Sequence, residues 1–90
     1  MPTETVRLWL VERSYDDRNL ITMTYATPSG DRSLTREVSA TIIDRRGGGI
    51  TAAVDVDPDR LEPVDDEGTR ERYATEAARV AERRDPDERV

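Results

Sequence analysis

The sequence predicts an α+β fold: a small antiparallel sheet, or a partly open barrel, of four or five strands with one C-terminal helix. Three observations predict it. Apolar residues alternate with polar ones through the first two-thirds of the chain, the period of a half-buried strand. From about residue 67 the beat lengthens to that of a helix lying on a surface. The breaks between the alternating stretches are short, which favours hairpins over parallel crossovers. The expected organisation is a single domain over residues 1–84 followed by a loose tail, 85–90.

The first strand is expected over residues 5–13, TVRLWLVER, with Val6, Leu8 and Leu10 on one face and Trp9 and Val11 on the other. Tyr15 to Arg18 (YDDR) reads as a polar break. The second strand, residues 19–27, alternates Ile21, Met23 and Tyr25 with Thr22 and Thr24. Pro28-Ser29-Gly30-Asp31 is turn chemistry, because Pro presets φ and Gly accepts positive φ. The third strand, residues 32–43, alternates Leu34, Val38, Ala40 and Ile42 with Thr35, Glu37, Ser39 and Thr41. Residues 44–49 (DRRGGG) read as a hairpin loop. The fourth strand, residues 50–57, sets Ile50, Ala52, Val54 and Val56 against Thr51, Ala53, Asp55 and Asp57. Pro58 ends it, and residues 60–64 suit a short edge strand that tolerates Pro63.

The helix is expected over residues 67–84, with Tyr73, Ala77, Val80, Ala81 and Arg84 forming a narrow stripe. Asp65 or Asp66 caps its start, Arg83 and Arg84 suit its C-terminal end, and Asp85-Pro86 stops it. So thin a stripe cannot hold a helix alone, so the helix must dock on the sheet or on a partner.

Composition sets the solvent and excludes much chemistry. The chain has 90 residues, 34% of them apolar and 38% charged, with twenty acids against fourteen bases and a net charge of −6. Mean hydropathy is −0.81. A core this small barely offsets chain entropy, so folding is expected to depend on salt or on association. Every base is Arg and none is Lys. Arg is more weakly hydrated than Lys and pairs bidentately with carboxylates. The whole-chain pattern resembles haloarchaeal proteins, which work in molar salt; a G+C-rich gene would give a similar bias. Cys and His are absent, which removes disulfides, thiol chemistry and imidazole catalysis. No apolar run is long enough to span a membrane, and no basic-then-apolar start suggests a secretory signal. The expected compartment is cytoplasmic.

Candidate sites are few. Trp9 and Val11 occupy the face opposite Val6, Leu8 and Leu10, and mark an interaction surface unless the helix or a barrel closure covers them. Arg36, Arg45, Arg46 and Arg60 are candidates to bind an anion, the middle pair beside Gly47-Gly48-Gly49. A strand rather than a helix follows those glycines, so the loop is not a nucleotide cradle. Asp55, Asp57 and Asp59 have the spacing of a calcium loop, but Arg60 stands where such a loop needs Gly and Pro58 stiffens the curl. The alternative is a strand face leading into a turn, and no metal or other cofactor is expected. No nucleophile stands beside a base, so an enzyme is not expected.

Ile21-Thr-Met-Thr-Tyr25 with Gly30 and Arg36-Glu-Val38 is similar to the opening hairpin of WYL-type ligand-sensing domains. Val54-Asp-Val-Asp57-Pro-Asp-Arg60-Leu61 is similar to a later strand of that family. The strand bearing the Trp-Tyr-Leu triplet has no counterpart. The resemblance implies an SH3-like or Sm-like small barrel in which Arg36 and Arg60 bind a nucleotide-like anion.

The leading functional expectation is a non-enzymatic protein-interaction or regulatory module that binds a protein partner or itself. A nucleic-acid or nucleotide-binding small barrel is the second reading; a carboxylate- or metal-dependent enzyme is the third. The Debye length falls from about 30 Å at 0.01 M salt to about 3 Å at 1 M, so dilution unmasks carboxylate repulsion. Amide signals are therefore expected to be dispersed in molar potassium chloride and to lose dispersion on dilution, as a salt series of NMR spectra will show.

Overall fold

A computed structural model describes residues 4–39 and 50–88. Its strands are β1 (Val6–Tyr15), β2 (Leu20–Ala26), β3 (Arg32–Ser39), β4 (Ala53–Val56) and β5 (Glu62–Pro63). A single 3-10 turn, Pro58–Arg60, precedes β5, and one helix, α1 (Glu67–Arg83), follows it. The strands form one antiparallel sheet in the order β4-β1-β2-β3-β5. It is an open sheet with a C-terminal helix rather than a barrel. The expected strand residues 40–43 and the connector 44–49 lie outside the described residues.

Local chemistry places the hairpins. At the β1–β2 turn the Asp16 carboxylate accepts from the Arg18 and Leu20 amides at 2.8 and 3.2 Å. Asn19 takes the left-handed conformation, φ 64°, which Asn tolerates better than most residues. Tyr15, expected in the break, therefore belongs to the strand. At the β2–β3 turn Gly30 has φ 75° and its amide donates to the Thr27 carbonyl at 2.8 Å. The Asp31 carboxylate accepts from the Thr27 and Ser29 hydroxyls at 2.8 and 2.6 Å, which satisfies the nearly buried Thr27.

Directly opposed residues share a face, so the register sorts the side chains. On the first face lie Leu8, Ile21, Met23, Tyr25 and Val56, which with Ile50 form the buried core. Val6, Leu10, Leu34, Val38, Val54 and Leu61 pack around them. Tyr25 is 2% exposed and its hydroxyl donates to the Thr51 carbonyl at 3.0 Å, so the buried polar atom has a partner.

On the second face Trp9 stands in one row between Ala26 and Ala53. The helix packs on β1 and β2, its apolar residues take no part in the first-face core, and it covers this second face. Ala77 and Ala26 are both essentially inaccessible. The stripe in contact is Tyr73, Ala74, Ala77 and Val80, whereas the expected Ala81 and Arg84 are exposed. Asp66 caps α1 by accepting from the Thr69 amide at 2.8 Å.

Two seams join helix and sheet. The Val64 amide donates to the Asp31 carbonyl at 2.9 Å, and Arg70 Nε donates to the Val64 carbonyl. At the other end, the residues expected as a loose tail are tied down as far as Glu88. The Ala52 and Ala53 amides donate to the carbonyls of Glu88 and Pro86 at 2.8 and 3.0 Å. Arg84 and Glu88 form an ion pair at 2.6 Å.

Gly30 is where the turn meets the helix backbone. A Cβ there would stand 2.9 Å from the Ala74 nitrogen and closer still to the Arg70 carbonyl oxygen. Gly30→Ala combines this overlap with a left-handed φ and is expected to cost roughly 2–4 kcal/mol. At Gly68 a Cβ meets only the Asp66 carboxylate, at an ordinary 3.4 Å. Gly68→Ala is expected to stabilise by up to about 1 kcal/mol through helix propensity. Thermal denaturation of the two variants checks the opposite signs.

Candidate functional site

The β1–β2 register shifts once. Leu10 opposes Tyr25 and Glu12 opposes Thr24, so Val11 is an extra residue, a β-bulge. Beyond it the alternation of β1 is reset. Arg13 now opposes Met23 and Tyr15 opposes Ile21, which puts both on the first face. Across β2 the same Met23 opposes Arg36. The Cα atoms of Arg13 and Arg36 are therefore about 10 Å apart, the sum of two antiparallel spacings, with Met23 between them.

The register also sorts charge. Among the described strand residues, Arg13, Arg32 and Arg36 lie on the first face, and all four acids, Glu12, Glu37, Asp55 and Glu62, lie on the second. The remaining strand arginine, Arg7, is on the second face, where it pairs with Asp55 through two contacts of 2.9 and 3.2 Å. In a chain of net charge −6, the first face of the described strands thus carries three arginines and no carboxylate. Burial pushes the Tyr25 phenol upward in pKa, and the positive charge of Arg36 opposes that rise.

Among the described residues, this end of β1 is a strand edge. β4 stops at Ala53, opposite Trp9, whereas β1 continues to Tyr15. The Asp16 amide donates to the Leu20 carbonyl at 3.1 Å. Antiparallel ladders alternate, so Ser14 also turns its backbone groups toward β2, and Tyr15 turns its own toward the outer edge. Tyr15 is 66% exposed, the one large hydrophobic side chain so exposed among the described residues.

The sequence candidates fall differently. Trp9 is half-buried beneath the helix, so it does not provide the exposed contact surface expected of it. Val11, half-buried, serves as the bulge. Arg36 lies on the first face opposite Met23, and Arg60 is exposed in the 3-10 turn, next to Asp59 in sequence. Arg45 and Arg46 lie outside the described residues. Asp55 is held by Arg7, and the Asp57 carboxylate caps the 3-10 turn by accepting from the Asp59 amide at 2.9 Å. Among the described residues no group of three or more acids converges as a metal site would require. A cleft of about 230 Å³ lies between Arg7, Asp55, Pro86 and Asp87, but the Arg7–Asp55 pair in its wall is already matched.

Sequence reasoning missed Arg13 and Tyr15. The signal for Tyr15 was present in Asp16 and Asn19, which favour a tight turn starting one residue later than YDDR implies. The bulge that turns both residues onto the first face leaves no such mark.

Hydrogen bonds to the charged form hold three carboxyls below the ordinary carboxylate range: Asp55 through Arg7, Asp31 through Ser29 and Thr27, and Asp66 through Thr69. A lowered folded pKa contributes stability above the unfolded value near 3.9, and that contribution is lost as pH falls through the folded value. Carboxyl NMR titrations are expected to place all three midpoints below about 3.9. Arg7→Ala is expected to return Asp55 to the ordinary range and leave Asp31 and Asp66 in place.

No curated protein and no solved structure matches the chain. The model of a family of unknown function, DUF7967, matches residues 2–90, and the chain belongs to that family.

Proposed function

We propose that the protein is a non-enzymatic interaction module that takes an extended segment of a partner protein as an added strand beside β1. One observation carries this reading: among the described residues β1 outruns β4 and ends in the exposed Tyr15. An edge strand with outward backbone groups is a template for another strand, and domains that bind peptides in this way gain affinity from main-chain hydrogen bonds. A nearby aromatic supplies the anchor, because Tyr buries much area at little entropic cost. The helix covers one face of the sheet and the other carries the buried core, which leaves the edge of β1 among the described residues. Among the described residues no helix is long and apolar enough to cross a membrane.

The test is selection of extended peptides from a random library on the immobilised protein, followed by amide exchange on the complexes. Selected peptides are expected to slow exchange at the Tyr15 amide. Tyr15→Ala is expected to weaken binding by about 1–2 kcal/mol without lowering the melting temperature. A library that yields no binder, or binders that leave exchange along β1 unchanged, contradicts the reading.

A further inference from the structure

At the opposite side of the sheet from β5, the chain's own end lies against the terminal strand, β4. Antiparallel ladders alternate, and the Ala53 amide points away from β1, so the outward backbone groups of β4 belong to Ala53 and Asp55. The Ala53 and Ala52 amides donate to the carbonyls of Pro86 and Glu88 at 3.0 and 2.8 Å. The Glu88 amide donates to the Asp85 carbonyl at 3.0 Å, and Arg84 pairs with Glu88 at 2.6 Å. Residues 85–88 thus form a short strap hung from the end of α1. We infer that this strap is a releasable cover over β4, and that what it keeps off is a second copy of the chain, pairing through the same edge. The inference concerns a different edge from that of β1 and stands independently of strand addition there.

The cover is incomplete. It reaches Ala53 but not Asp55, whose outward groups have no backbone partner among the described residues. The cleft of about 230 Å³ lies there, between Asp55 and the strap residues Pro86 and Asp87. A strand edge with outward groups is a template for another strand, and a loop laid over it is one way that proteins prevent such pairing.

The edge beneath the strap is self-complementary. A two-fold axis normal to the sheet through Val54 brings Ala53 of each copy opposite Asp55 of the other. Both outward residues of each strand then exchange hydrogen bonds, and Val54 meets its counterpart on the first face. No carboxylate opposes a carboxylate in this register, and Arg7 already matches Asp55 from within its own chain. The Ala53 carbonyl accepts from the Thr51 hydroxyl at 2.8 Å, but a carbonyl has a second lone pair for the added strand.

Closed and paired forms are close in backbone bonding, because two released straps give up as many bonds as the new ladder makes. The strap prevails in the intact chain because it is tethered beside its edge, whereas a second copy must lose translational freedom. Beyond its two bonds to β4, the strap is closed by the Arg84–Glu88 pair, which lies at the surface, where such pairs contribute little and salt screens them. A small loosening of the strap therefore shifts the chain toward pairing.

The test is sedimentation equilibrium with amide exchange on the full-length chain, on Glu88→Ala, and on the triple variant Pro86→Gly, Asp87→Gly, Glu88→Gly. In dilute solution the wild type is expected to be a monomer with slow exchange at Ala52 and Ala53. Both variants are expected to exchange faster at those amides and to dimerise more tightly than the wild type, about threefold for Glu88→Ala and roughly tenfold for the triple variant. In a mixture of isotope-labelled and unlabelled chains, the dimer is expected to show a Val54 Hα–Hα contact between copies. Faster exchange at Ala52 and Ala53 without tighter association overturns the inference, as does association that lacks the Val54 contact. Unchanged exchange in the triple variant means that the strap is not the cover, and overturns it equally. Should the triple variant fail to fold, the same readings on Glu88→Ala decide.

Discussion

Side chains on a β-strand alternate between faces, so an extra residue at Val11 turns over every later side chain of β1. Without it, Glu12 and Ser14 would project beside Met23 and Ile21, which are 6% and 4% exposed. A carboxylate there would lie against the core and suffer desolvation without a partner. With the bulge, Arg13 takes the position opposite Met23 and stays exposed, and a long apolar stem suits it to that place better than a carboxylate. On the other side of β1 the Leu10 amide donates to the Ala52 carbonyl at 2.8 Å, continuing the register with β4. The core, the arginines of the first face and the exposed position of Tyr15 all follow from this one insertion.

The helix makes the division between faces permanent. It sits close to the sheet because the residues at the contact are small: Gly30, Ala26, Ala74 and Ala77. Small side chains let backbones approach but contribute little buried area, so the arrangement leans on hydrogen bonds at its ends. Val64 and Arg70 secure one end, and the strand-like pairing of residues 86–88 with Ala52 and Ala53 secures the other. Trp9 supplies the bulk that these residues lack, which is why it is drawn under the helix rather than presented to a partner.

Strand and helix identities were legible because hydrophobic period is a local property. The alternation of Ile21, Met23 and Tyr25 and the slower beat around Ala77 need no tertiary information. Arg36 was named as an anion-binding candidate through the resemblance to WYL-type domains, and its place on the first face beside Met23 came only from the register. What was not legible depended on register. Val11 is an ordinary strand residue, and nothing in its neighbours announces a bulge. The sorting of acids and arginines onto opposite faces is a relation among strands distant in sequence. The ties of Pro86 and Glu88 to Ala53 and Ala52 use backbone carbonyls as acceptors, which every residue carries, so DPDERV read as unstructured. Asp55 belongs to a strand face, the alternative favoured over a metal loop, but its partner Arg7 was not legible because it is far away in the chain and adjacent only in the sheet.

The position of the bulge is the claim on which the functional account stands, and cross-strand proton contacts read it directly. Hα–Hα nuclear Overhauser effects between Arg13 and Met23, and between Tyr15 and Ile21, are the result this register predicts. Contacts joining Glu12 to Met23 and Ser14 to Ile21 would mean an unbroken ladder. Arg13 and Tyr15 would then lie under the helix side of the sheet, and the sorting of charge between the faces described above would not exist.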